Sequence, residues 1–254
     1  MPSRALNSTL VSVQGTTTMT YIYTQANRPF SVFLTINGDM YIDNGYFNGR
    51  VDKFISTTNA TTTVMNISGS CYGLFVDLNN YLYCSMKDFH QVVKLLLNNG
   101  TTIPTVAAGT GSPGSTSTML DSQQGIYVDS NMNLYVADCG NNRVQMFQSG
   151  QLNGLTVAGN ESSTTTMNLS CPTGVVLDND GYLFIVDSNN HRIVGSSWDG
   201  FRCIVGCSGS SGSNSSTLSF PQSMAFDSYG NLYVTDRNNS RVQKFSIQKY
   251  NCSK

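Results

Sequence analysis

The sequence predicts an all-β fold, a β-propeller of four-stranded blades, and three observations predict it. First, one phrase recurs: "LYVADCGNNRVQMF" at 134–147, "LFIVDSNNHRIV" from Leu183 and "LYVTDRNNSRVQKF" from Leu232, which sets Asp138, Asp187 and Asp236 at a constant step of 49 residues. Self-similarity at such a period marks a repeat architecture. Second, charged residues make up only 11% of the 254, against roughly 25% in ordinary soluble domains. Ser, Thr, Asn and Gly carry the polarity instead, which suits short strands and many turns. Third, the apolar runs in each unit are short, β-branched or aromatic, and apolar at nearly every position. Such strands are covered on both faces. A radial stack of small sheets around a channel supplies that cover and leaves few exposed edges.

The elements follow in order along a single domain, 1–254. Residues 1–28 hold two apolar runs in "STLVSVQGTTTMTYIYTQ", read as strands that close the ring. Five units then divide the chain at 29–70, 71–120, 121–170, 171–219 and 220–254. In the third, Ile126–Val128 ends at an Asp-containing turn, Leu134–Ala137 follows, and an Asn-rich turn leads to Val144–Phe147. A weaker fourth run precedes each new unit, as in "TTIPTVAAG", "NGLTVAG" and "FRCIVGC". The last unit stops after its third strand, so the ring has five or six blades with N-terminal strand closure.

Asp138–Arg143, Asp187–Arg192 and Asp236–Arg241 look at first like chemistry. An enzyme rarely needs a catalytic pair in triplicate, whereas a repeat needs its structural pair in every unit. Unit two replaces both partners at once, with Met86 and Gln91. Joint loss is what a pair spanning one turn predicts, because a carboxylate or guanidinium left alone in a partly buried turn is costly. The six residues are read as turn clasps.

The net charge is −1 and no stretch clusters Lys and Arg, which disfavours a nucleic-acid partner. No apolar run approaches the length that spans a bilayer, and the first residues lack the apolar core of a signal peptide. Seven cysteines form no CxxC pair, and with two histidines they argue against a zinc site. Either they are buried thiols or the chain is extracellular and partly disulfide-bonded. Nine Asn-x-Ser/Thr sequons weigh toward an extracellular chain or the ectodomain of a longer precursor, with a cytoplasmic location as the alternative. In an oxidising compartment Cys139 and Cys171, on one face of adjacent blades, are expected to bond. Cys203 and Cys207 are the second candidate, provided the chain turns at Gly206, and at least one cysteine is expected to stay free.

The pattern D-x-x-N-x-R-V-x-x-F after G-x-L-Y-V resembles the NHL repeat over about residues 29–250, with Asn190-His191-Arg192 nearest to the name-giving motif. The resemblance implies a propeller, usually of six blades, and three uses: a protein-binding platform, RNA binding, or catalysis at a channel metal held by histidines. RNA binding conflicts with the charge. His90 and His191 occupy matching turns but make a thin basis for a metal. The reading is therefore a non-catalytic scaffold for a protein or peptide ligand, without a cofactor, and a monomeric domain of a longer protein. A metal-dependent lyase or lactonase, or an RNA-binding NHL domain, is the alternative. Loops on one face would do the binding, through Asn48, Phe89, His90, Asn141, Asn142, Asn190, His191, Arg237 and Asn239.

Overall fold

The computed structural model describes residues 28–160, 162 and 167–246, and two short strands at Val11–Ser12 and Thr20–Tyr21. The fold is an all-β propeller ring of five blades. Blade one comprises Val32–Leu34, Met40–Asp43, Arg50–Ile55 and Ala60–Asn66. Blade two is Gly73–Val76, Tyr81–Met86, Gln91–Leu96 and Thr105–Ala108. Blade three is Ile126–Val128, Leu134–Asp138, Arg143–Phe147 and Gly154–Gly159. Blade four is Pro172–Leu177, Leu183–Asp187, Arg192–Ser197 and Gly200–Val205. Blade five has three described strands, Pro221–Phe226, Asn231–Asp236 and Arg241–Ser246. Each sheet is an antiparallel meander in chain order.

The expected N-terminal closure falls mostly on residues outside the described ones. Val11–Ser12 and Thr20–Tyr21 pair with each other, Val11 opposite Tyr21. The strand order of blade five runs to Arg241–Ser246 and no further among the described residues.

The core lies between blades rather than within them. Tyr41, Val51 and Met65 of blade one pack on Leu74, Leu82 and Leu95 of blade two. Corresponding clusters fill the next three junctions, around Val136 and Phe147, then Val144 and Ile185, then Ile193 and Leu232. Each fully buried Leu, Ile or Phe contributes roughly 1.5–3 kcal/mol of transfer free energy, so each junction stabilises two blades at once. That is why the runs read as apolar at every position: one face of a strand packs forward and the other back. Blades one and five are the exceptions, with Leu34 63% exposed on the first strand of blade one and Val242 63% exposed on the third strand of blade five.

Between strands two and three of blades two to five the chain makes a single 3-10 turn: Lys87–Phe89, Cys139–Asn141, Ser188–Asn190 and Arg237–Asn239. The next residue takes a left-handed conformation, φ 48° at His90 and 55° at Asn142 and His191. Against these turns lie Gly109, Gly159 and Gly206, all with positive φ. A Cβ on Gly159 would press into the Asn142 carbonyl oxygen, so this close approach requires glycine. Among the described residues no helix is long and apolar enough to cross a membrane.

Candidate functional site

The recurring aspartates are hubs of a repeated clasp. In blade three Asp138 Oδ1 accepts the Asp121 N–H at 2.7 Å, while Oδ2 accepts Arg143 Nε at 2.8 Å and Asn141 Nδ2 at 2.9 Å. Blades four and five repeat this with Ser170, Arg192 and Asn190 around Asp187, and with Ser219, Arg241 and Asn239 around Asp236. At Asp236 burial pushes the carboxyl up, but the Asn239 amide, the Ser219 N–H and Arg241 together outweigh it and hold it below the usual range.

The free ends of the guanidinium do further work. Arg143 donates to the carbonyls of Ser115, Thr116 and Met119, and Arg241 to those of Ser213, Asn214 and Thr217. These bonds pin the Ser/Gly-rich loops at 109–120 and 206–220 from within. Blade one departs from the pattern. Arg50 turns to Asp52 at 3.1 Å rather than to Asp43. Burial then pushes the Asp43 carboxyl up, although it accepts the N–H groups of Cys71 and Phe30. In blade two, where both partners are missing, the buried Gln123 donates to the carbonyls of Met86 and Gln91 instead.

In blades two to four the left-handed residue of the turn ties one blade to the next. His90 Nδ1 accepts the Ser122 N–H at 3.1 Å, Asn142 Oδ1 the Cys171 N–H at 2.8 Å, and His191 Nδ1 the Phe220 N–H at 3.2 Å. All three donors have positive φ themselves, so each cap fixes a loop that doubles back as it enters the next blade. The sequence placed these side chains on a loop face; the structure puts their polar atoms into the junctions.

Three disulfides are formed. Cys139–Cys171 bridges blades three and four with Cα atoms 3.9 Å apart, inside the limit of about 7 Å. Cys203–Cys207 forms because the chain turns at Gly206, φ 72°, which brings the Cα atoms to 5.6 Å. Cys71–Cys84 was not anticipated from the sequence. It joins the loop entering blade two to its second strand, at 5.1 Å. Cys252 lies outside the described residues.

Of the other loop-face residues, Asn48 donates to the Asn44 carbonyl and side chain within its own turn. Phe89 is half-buried, its ring lying where a Cβ on Gly69 would point. Asn141 and Asn239 serve the clasp and also hold the Gly114 and Gly212 carbonyls; Asn190 reaches Asp187 and the Asn168 carbonyl. Arg237 alone of the set lines the central channel.

That channel, about 1120 Å³, is lined by the first strands of all five blades. Neighbouring backbones meet at the start of the first strands. The Gly125 N–H donates to the Thr173 carbonyl at 2.9 Å, and a Cβ on Gly125 would lie 2.6 Å from that oxygen. One mouth, on the side of the 3-10 turns, carries Phe30 stacked on Tyr72 at 4.2 Å, with Lys87 Nζ 5.1 Å from the Tyr72 ring centre. Opposite them Gln222 Nε2 donates to Gln124 Oε1 at 2.6 Å, reaching past blade four, and Arg237 Nη1 donates to Gln222 Oε1 at 3.4 Å. Farther in the lining is apolar: Phe33, Phe75 and Tyr127 are in edge-to-face or tilted contact at 5.1 and 5.0 Å, near Val176 and Phe226. Sequence reasoning missed Tyr72, Gln124 and Gln222. Their signal was positional: each immediately precedes the small residue, Gly73, Gly125 or Ser223, that opens its unit.

Residues 124–147, 169–195 and 218–245 match the family model described as NHL repeat, so the chain carries three of these repeats. No curated protein matches the chain. Among solved structures it is similar to a streptogramin B lyase at 15% identity and TM-score 0.65, over 98% of this chain and 79% of that one. It is similar to an auxiliary nutrient binding protein from Bacteroides ovatus at 18% identity and TM-score 0.70, over 91% of this chain and 62% of that one. A catalytically inactive virginiamycin B lyase from Staphylococcus aureus with quinupristin gives 13% identity and TM-score 0.61, over 94% and 77%. These likenesses show the fold.

Proposed function

We propose that the protein is a non-catalytic binding propeller of the extracellular space that takes its ligand at the channel. The observation that carries this is the lining itself: stacked aromatics, paired amides and two cations at one mouth, and apolar side chains beyond. A concave, mostly apolar site with a few convergent polar groups is what ligand recognition requires. By contrast, both turn histidines present Nδ1 to a backbone N–H in a blade junction, which gives them a structural task. The solved propellers of similar fold include both lyases and nutrient-binding proteins; the chemistry of this lining favours the second kind of role.

Affinity capture from the native surroundings, followed by mass spectrometry, tests this. The bound molecule is expected to be recovered with unchanged mass, and Ala225→Trp, which fills the channel from an exposed lining position, should abolish capture while leaving the melting temperature near that of the parent. A product of altered mass, or one tightly held transition metal per chain whose removal stops turnover, would establish the lyase or lactonase reading instead.

The compartment has its own check. Three disulfides suit an oxidising environment. Asn59, Asn99 and Asn214 stand exposed within sequons. Protein from a eukaryotic secretory host is expected to carry glycans at these positions and to show all three bridges in non-reducing peptide maps. Glycan-free protein with alkylatable Cys71 and Cys84 would count against it.

A further inference from the structure

We infer that the channel mouth is an anion site, and that the ligand is a molecule joining a carboxylate to an apolar, ring-bearing body. This rests on the channel-binding reading above and gives the ligand a chemistry.

The lining contains Lys87 and Arg237 and no Asp or Glu, in a protein whose net charge is −1. The two cations hold the same position in their blades, the first residue of the 3-10 turn after strand two. In blades three and four that position is taken by Cys139, locked in its disulfide, and by the buried Ser188. Positive charge therefore enters the mouth from blades two and five alone, on either side of blade one. Neither cation is committed to a carboxylate among the described residues. Lys87 rests over the Tyr72 ring, and Arg237 touches only the Gln222 amide oxygen, at 3.4 Å. This contrasts with Arg143, Arg192 and Arg241, each clamped on an aspartate.

The amides beside them are oriented. Gln222 gives its N–H to Gln124 and turns its oxygen toward Arg237, so the guanidinium is steered at the mouth with donors to spare. A guanidinium with an open edge prefers a planar carboxylate. Phe30, 54% exposed, offers a ring to the body of such a ligand, and the apolar lining lies directly behind it. The channel is thus amphipathic along its axis, cationic at one mouth and apolar within. An apolar molecule with an anionic head fits that gradient in one orientation.

Both a small aromatic acid and a peptide C-terminus carry this chemistry, and two probe pairs separate them. N-acetyl-Phe-Phe is compared with its C-terminal carboxamide, and 3-phenylpropionate with 3-phenylpropionamide, by isothermal titration calorimetry on the whole chain. In at least one pair the acid is expected to bind more tightly than its amide by about tenfold or more, the worth of one charge-assisted hydrogen bond. Preference confined to the peptide pair identifies a C-terminus, and to the other pair a small acid. Arg237→Gln and Lys87→Gln should each remove the preference while the thermal unfolding midpoint stays put, since both side chains lie at the rim. Added salt should weaken the acid and spare the amide. Equal binding of acid and amide, or no binding of any probe, overturns the anion site. Acid-selective binding that survives Ala225→Trp places the ligand elsewhere and overturns the channel reading on which the inference rests.

Discussion

Replacing Asp138 with alanine is expected to cost about 3–5 kcal/mol, because it strands a guanidinium that the fold has fully enclosed. The Arg143 side chain is 1% exposed, against 17% for Arg192 and 31% for Arg241. The three clasps share a backbone N–H, an Asn amide and an Arg Nε donor at closely similar distances; Asp236 also accepts Gln243 Nε2 at 3.2 Å, and burial of the arginine is the larger difference between them. Asp187→Ala should therefore cost less, and Asp236→Ala least, about 1–3 kcal/mol, since water can reach the orphaned arginine. Urea unfolding of the three variants reads the order directly. In blade three the double change Asp138→Ala with Arg143→Ala should fall well short of the sum of the singles. Strict additivity there, or an order unrelated to arginine burial, would refute the clasp as an energetic unit.

The second large effect belongs to Cys139–Cys171. The bridge joins positions 32 residues apart in adjacent blades. Its removal by paired Cys→Ser changes should cost about 3–4 kcal/mol in the chain-entropy model. Cys203–Cys207 spans only 4 residues and by the same relation is worth less, about 2 kcal/mol. Denaturant midpoints for the two double variants should separate in that order. The reverse order would show that native-state packing, not the loop closed, sets the worth of these bridges.

Much of this fold was legible because its signals are local. The 49-residue step, the Asp–Arg spacing and the double loss at Met86 and Gln91 are all written along the chain, and each maps onto a clasp or its replacement. Cys139–Cys171 followed from blade positions, and Cys203–Cys207 from a turn at Gly206. Cys71–Cys84 did not, because the loop entering blade two had no partner signal in a weakly matching unit. The loop-face residues carry contacts of a kind that the sequence hides. An Asn or His in a polar turn looks available for binding, yet the same turn delivers it to the loop of the next blade, a contact that no spacing within one unit reveals. The channel was hidden for a similar reason: Gln124 and Gln222 meet across 98 residues, and only the curving of blades three to five around a common axis brings them together.

The caps from His90 to Ser122, Asn142 to Cys171 and His191 to Phe220 span 32, 29 and 29 residues. Each joins a blade only to its successor. Loop-closure entropy is therefore nearly the same at every step and never large, and the structure grows as a one-dimensional chain of nearest-neighbour couplings. A chain so wired does not await its far end. Each blade can dock on the one before it as synthesis proceeds, and a lesion in blade two should reach blade five through the junctions in between, with the Gln222–Gln124 contact as the one described link that skips a blade.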